Sequence, residues 1–255
     1  MTISSGTGAW LKPLKPQAAP LRNQIIVSLR RAIELGVLVP GTRLIEKDLC
    51  TQLGVSRTSL REALRELQAQ GILEHSRARG LAVSAISHED AENVYRIRAA
   101  LEALIVEQFV QKASADEIGS LARESEALKE AYRSGELEGI VVAKRSFYDR
   151  ICSGARNPIA FDLLGHLVLR TSSLRSRSLT RKERQRQSIK EIDALVGAIE
   201  RRDVEAARRI AAEHVMHSAQ STFQGDGGPL SAPKAQKAET PPKPFRRGSS
   251  EAMAE

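Results

Sequence analysis

Aromatic side chains are scarce in this sequence, 4% of 255 residues, and cysteine is scarcer still, with two. So few aromatics beside so much Leu, Ala, Ile, Glu and Arg argue against a β-sandwich and favour helices. Cys50 and Cys152 each sit alone inside an apolar helical pattern. That excludes a disulfide framework or a zinc ribbon and makes both core residues. No window approaches the roughly 18 apolar residues that span a bilayer, and the N-terminal stretch lacks the apolar run of a signal peptide. A cytoplasmic location with no membrane partner is expected. Histidine is limited to five scattered residues, and no P-loop, nucleophile elbow or paired-carboxylate signature is present. An enzyme, such as a metal-dependent hydrolase, therefore lacks its inventory.

What the chain does have is positive charge, +8 overall with a pI near 9.8. Among the folded parts the charge is densest in residues 21–86. The longest cationic run, RTSSLRSRSLTRKERQR from Arg170 to Arg186, is an island in an otherwise acidic segment. Residues 1–20 and 224–255 mix Ser, Gly and Pro without periodicity and are expected to be disordered tails. Between them the spacing predicts two domains.

In residues 21–86, Ile25, Ile26, Leu29 and Ile33 recur at helical spacing, and VLVPGTRL marks a turn. A short helix ends at Gly54, and a third helix runs from Ser56 to about Gln70. Two β-prone runs then flank Arg77, Arg79 and Gly80. On the third helix Leu60, Ala63, Leu64 and Leu67 mark a buried face, with Arg57, Thr58, Arg61 and Arg65 toward the other. Arginine offers a two-pronged donor to guanine or phosphate, and a helix N-terminus favours an anion. In residues 87–223 the periodicity predicts only helices, at about 88–113, 115–134, 136–153, 157–172, 181–201 and 204–223. The Arg-rich stretch before residue 181 is expected to be a loop.

The run PGTRLIEKDLCTQLGVSRTSLREALRELQAQGILEHSRARGLAV resembles the winged helix-turn-helix domain of GntR-type bacterial transcription regulators. The resemblance implies DNA contacts from Lys47, from Ser56, Arg57, Thr58 and Arg61 on the recognition helix, and from Arg79 with Gly80 at the wing tip. Ser59 departs from the family's usual Pro, and Cys50 from its usual Ala. The helical region resembles the FCD effector domain of the FadR-type branch through VYRIRAALEALIVEQ, FYDRICSGARNP and EIDALVGAIERRDVEAARRIAAEH. The fold expected is mainly α, a winged helix-turn-helix domain followed by an all-α bundle of six or seven helices.

Many members with this domain carry a metal site made by an Asp and three His, and the matching positions here are Lys144, Tyr148, Ile192 and His214. Lys and Ile cannot coordinate a divalent cation, so no metal and no other cofactor is expected. Ile140, Lys144, Phe147, Tyr148 and Ile151 share one helical face, which places an ammonium among apolar neighbours where it demands an anion. Arg98 stands beside Val94, Leu101 and Ile105 in the same way. The expectation is that Arg98 and Lys144 bind a small anionic effector, an organic acid, with Tyr148 and His214 as hydrogen-bond partners. The competing reading is an internal salt bridge to Glu102 or Asp149. The Arg170–Arg186 stretch reads as a solvated or pairing surface for its acidic domain, with Arg170, Arg175 or Arg177 closing over the effector as the alternative. As a homodimer on double-stranded DNA, the chain would place two recognition helices on a palindromic operator and act as a repressor. A nonspecific architectural nucleic-acid-binding protein is the other class the charge allows.

Overall fold

The computed structural model describes residues 19–76 and 80–224, so the expected tails and Arg79 lie outside the described residues apart from Ala19, Pro20 and Gln224. The chain forms α1 (Ala19–Glu34), α2 (Glu46–Leu53), α3 (Arg57–Ala69), β1 (Leu73–Ser76) and β2 (Gly80–Val83), then seven further helices. These are α4 (His88–Lys112), α5 (Ala115–Ser134), α6 (Leu137–Ala155), α7 (Pro158–Arg170), α8 (Ser172–Leu179), α9 (Lys182–Glu200) and α10 (Val204–Phe223).

In the N-terminal part, Ile25, Ile26, Leu29 and Ile33 of α1 close over Leu60, Ala63, Leu64 and Leu67 of α3, and Leu49 of α2 joins them. The turn between α2 and α3 is left-handed at Gly54, with φ +65°, a conformation in which any Cβ is strained. That residue lets the chain pass from α2 into α3 through only three residues. β1 and β2 pair antiparallel from Leu73 opposite Val83 to Ser76 opposite Gly80, and an isolated bridge from Arg43 to Ala82 extends the small sheet.

The second domain packs α4 along α10, with α5, α6 and α9 around a core of Ile105, Phe109, Leu121, Leu128, Phe147, Ile151 and Ile199. Helices α4, α5, α7 and α10 start on side-chain caps: Ser87, Ser114, Asn157 and Asp203 each accept a hydrogen bond from the third helical N–H. Ser114 and Glu117 complete a reciprocal capping box. Where α6 crosses α4, Gly154 lies so close to Phe109 that a Cβ would stand 2.4 Å from the ring.

The expected loop before residue 181 is instead α8. Its sequence, SSLRSRSL, offers too few apolar positions to show a helical period. Burial supplies what the pattern lacks, since Leu174, Ser178 and Leu179 are enclosed by neighbouring helices. Nor is the cationic run a solvated surface throughout. Arg184, expected there as one more surface cation, is only 6% exposed, and Gln185 and Ser188 beside it are buried as well. α8 also packs against α1, and Leu169 of α7 joins the core of the N-terminal domain. The two domains therefore share a packed boundary.

Candidate functional site

The first candidate surface is the exposed side of α3. Ser56 caps the helix by accepting from the Ser59 N–H at 3.2 Å, and the two hydroxyls lie 3.1 Å apart. A proline at position 59 would have no N–H to donate, so the serine found here adds a cap bond at the helix end that faces solvent. Arg57, Thr58 and Lys47 are exposed, and no ion pair joins Arg57 or Lys47 to another described residue. Arg61 differs, because its Nε donates to both carboxylate oxygens of Glu46 on α2, at 3.1 and 2.9 Å. An exposed pair of this kind stabilises little, and it orients the guanidinium more than it neutralises it. Gly80 begins β2 opposite Ser76, at the end of the wing whose tip residues are not described.

The second candidate is a cavity of about 150 Å³ between α1, α4, α6, α7 and α8. Arg98, Glu102, Lys144, Tyr148 and Arg175 are among its walls, with Phe161, Leu164 and Val168 supplying apolar surface. The Arg98 guanidinium donates to Glu102 Oε1 from Nε at 3.2 Å and from Nη2 at 2.8 Å. Burial opposes both charges, yet each holds the other ionised: Arg98 is raised above its usual range and Glu102 is lowered below its own. The pairing is incomplete. Arg98 Nη1 and Glu102 Oε2, in side chains 4% and 2% exposed, have no hydrogen-bond partner. The Tyr148 hydroxyl stands near Glu102 without closing that bond, and burial followed by the carboxylate drives the phenol well above its usual pKa.

Lys144 is 6% exposed and has no carboxylate within ion-pair distance. Its Nζ lies 3.2 Å from His214 Nε2, and the Tyr148 ring is 5.8 Å away. Burial first, then the nearby Arg175 and Arg184 guanidiniums, pull its pKa well below the ordinary lysine range. Arg175 makes no hydrogen bond or ion pair with the described residues, and burial with Arg98 close by lowers its pKa as well. Of the two carboxylates weighed from sequence, Glu102 takes Arg98, whereas Asp149 is exposed and pairs with Arg145.

His214 stands behind Lys144, outside the walls of this cavity. Its Nδ1 lies 2.6 Å from Glu191 Oε2, a carboxylate that also accepts from Arg184 Nη2 at 2.8 Å and meets His217 Nδ1 at 2.7 Å. With its proton on Nδ1, His214 turns its one lone pair, on Nε2, to the lysine. Burial first and then Lys144 lower the His214 pKa to about 4, so the ring is neutral near pH 7. These positions do not fit a metal. Ile192 is a buried core residue, and the single imidazole left by the resemblance already has Glu191 on one ring nitrogen and the Lys144 amine on the other. Glu191 and the inward-facing Arg184 were not singled out from sequence, whereas Arg175 was one of three cations named there as closing over an effector, and it does line the cavity. Glu191 had a signal, since Ser188, Glu191, Ile192 and Leu195 fall on one helical stripe.

Comparison with known proteins agrees with both halves. Residues 21–83 match the model described as bacterial regulatory proteins, gntR family, and residues 93–217 match the FCD domain. The Escherichia coli HTH-type transcriptional regulator McbR is 27% identical over 218 residues, covering 82% of this chain and 96% of McbR. An HTH-type transcriptional regulator of Bacillus subtilis, YdhC, is 27% identical over 199 residues, 78% of this chain and 89% of YdhC. Among solved structures, E. coli McbR/YncC superposes with a TM-score of 0.72 at 27% identity, covering 80% of this chain and 97% of that one. With a helix-turn-helix half and a helical half each matched in its own place, the chain belongs to the GntR family of bacterial transcription regulators and carries an FCD domain as its C-terminal part.

Proposed function

We propose that the protein is a ligand-responsive repressor that binds a palindromic operator as a homodimer and responds to a small organic acid held in the cavity. One observation carries the ligand reading. Arg175 and Lys144 have no carboxylate partner, and Arg98 keeps a free Nη1, all at the walls of one cavity. Basic groups left with unused hydrogen-bond donors at the wall of a cavity are costly, and a carboxylate entering it would accept from all three at once. The unsatisfied Glu102 Oε2 accepts a hydrogen bond, which favours an acid that also carries a hydroxyl or amino donor. The volume suits a ligand of roughly benzene size or slightly larger. Tyr148 borders the ligand, while His214 positions Lys144 from behind.

The DNA reading rests on Ser56, Arg57, Thr58 and Arg61 at the open end of α3, with Lys47 on α2 and Arg79 and Gly80 in the wing. A homodimer is supported by Ile97, Leu104, Ile159 and Leu163, large apolar side chains left exposed on the adjacent helices α4 and α7. Repression is supported by a 27% identical relative from Paenarthrobacter nicotinovorans described as a probable D-xylose utilization operon transcriptional repressor. No metal takes part in this reading.

Calorimetry with malonate, succinate, lactate and glycerate tests the cavity. Binding to the unmodified chain that falls at least tenfold in Lys144→Met is the expected result. Equal affinity in the variant would remove Lys144 from the site. Random-site selection with the full chain should recover a palindrome, and recovery of sequences without symmetry would refute the dimeric operator.

A further inference from the structure

The cavity is not confined to the effector domain. Two of its wall residues, Arg30 and Glu34, belong to α1 of the DNA-binding domain, and they face Arg145 and Asp149 of α6 across the boundary. The surroundings show a built junction. Arg31 forms an ion pair with Glu138 at the start of α6, and Gly36 rests on the Ser176 side chain of α8. Arg30 itself is held on the DNA side. Its Nη2 donates to Gln70 Oε1 at 2.7 Å, and Gln70 Nε2 donates in turn to Glu66 of α3 at 3.4 Å. Gln70 is the C-cap of the recognition helix.

Two features show that this arrangement is unsatisfied. Arg30 Nε is buried without a hydrogen-bond partner. Burial followed by the carboxylates Glu66 and Glu34 sets the charge balance of Arg30, and the Arg145 guanidinium lies close enough to oppose it. Two cations from different domains therefore meet at one opening. A multivalent anion between them would turn their repulsion into a bridge.

We infer that the effector site is completed by the DNA-binding domain: Arg30 takes part of the anionic group of the ligand, together with Arg145, and the Arg30–Gln70 bond reports occupancy to the recognition helix. This rests on reading the cavity as a site for small carboxylates, and it adds both a contact residue and a route of regulation. An anion that draws the Arg30 guanidinium toward α6 competes with Gln70 for the same donors. The end of α3 is then released or tilted relative to α1, and no long path through the bundle is needed.

The test uses the full chain, the same four acids with inorganic phosphate, and the operator recovered by selection. Calorimetry gives acid affinity, and fluorescence anisotropy gives operator affinity with and without acid. Arg30→Gln should weaken acid binding tenfold or more, with Arg30→Lys falling between it and the unmodified chain. Gln70→Ala, which removes the competitor, should bind acid more tightly than the unmodified chain does, while its operator affinity no longer changes when acid is added. Where Arg30→Gln fails to fold, Arg30→Lys is read in its place. If an acid binds, loses affinity in Lys144→Met and keeps it in the Arg30 variants, the inference is overturned and the cavity reading stands. If none of the probes binds the unmodified chain, both fall.

Discussion

Replacing Glu191 by Gln is the most direct test of the buried network behind the cavity. Glu191 is 8% exposed and is, among the described residues, the only carboxylate paired with Arg184, which is 6% exposed and 2.8 Å away. Gln keeps the shape and one acceptor but removes the charge, so Arg184 becomes a buried cation without a counter-charge. Losing one partner of a buried pair costs about 3–5 kcal/mol, a large share of the roughly 5–15 kcal/mol that keeps a domain folded. For a chain of this size the melting temperature should drop by roughly 10 °C. Equilibrium urea denaturation followed by far-UV circular dichroism gives the free energy directly. The double replacement Arg184→Met with Glu191→Leu leaves neither charge unpaired and should recover most of the loss, because apolar side chains of similar volume often substitute for a buried pair at little cost. If Glu191→Gln loses less than about 1 kcal/mol, the guanidinium has another counter-charge or reaches water, and the network does not hold the domain as described.

Arg57→Ala should cost roughly 1–3 kcal/mol of operator affinity and relax base preference, seen by repeating the site selection; an unchanged selected sequence would move direct readout elsewhere. Gly154→Ala would drive a Cβ to 2.4 Å from Phe109, whose ring is fully buried, and should destabilise by about 1–3 kcal/mol in the same urea assay. Stability should also fall on acidification between about pH 6.5 and pH 4. In that window an unfolded His214 takes up a proton while the folded ring, with its pKa lowered to about 4, does not. Unfolding therefore binds a proton, stability rises with pH across the window, and the total is about 3 kcal/mol. Below that range Glu191, held well under the usual carboxylate pKa, continues the loss in the same direction. A flat stability profile from pH 6.5 to 4, or one unaltered in His214→Asn, would contradict this.

Much of the DNA-binding half was legible before any coordinates. Its helices are set by nearby residues: apolar positions three and four apart, Ser56 as a cap, and Gly54 and Gly36 as left-handed stops. The long helices of the second domain were legible for the same reason. α8 was not, because Leu174 and Leu179 alone do not make a stripe, and its helicity comes from burial against other elements. The run from Arg170 to Arg186 misled in a related way, since charge in sequence says nothing about which cation faces inward.

By itself, the sequence determined which residues form the amphipathic helix from Arg57 to Ala69, because that follows from local spacing, and its resemblance to the FCD domain put Lys144 where many members carry a metal-binding Asp. Only the tertiary structure decided that Glu102 partners Arg98, that Lys144 and Arg175 are left without a carboxylate, and that α1 closes the cavity. Those facts depend on residues far apart in the chain reaching the same few ångströms, where burial turns an ordinary surface charge into one that must be matched.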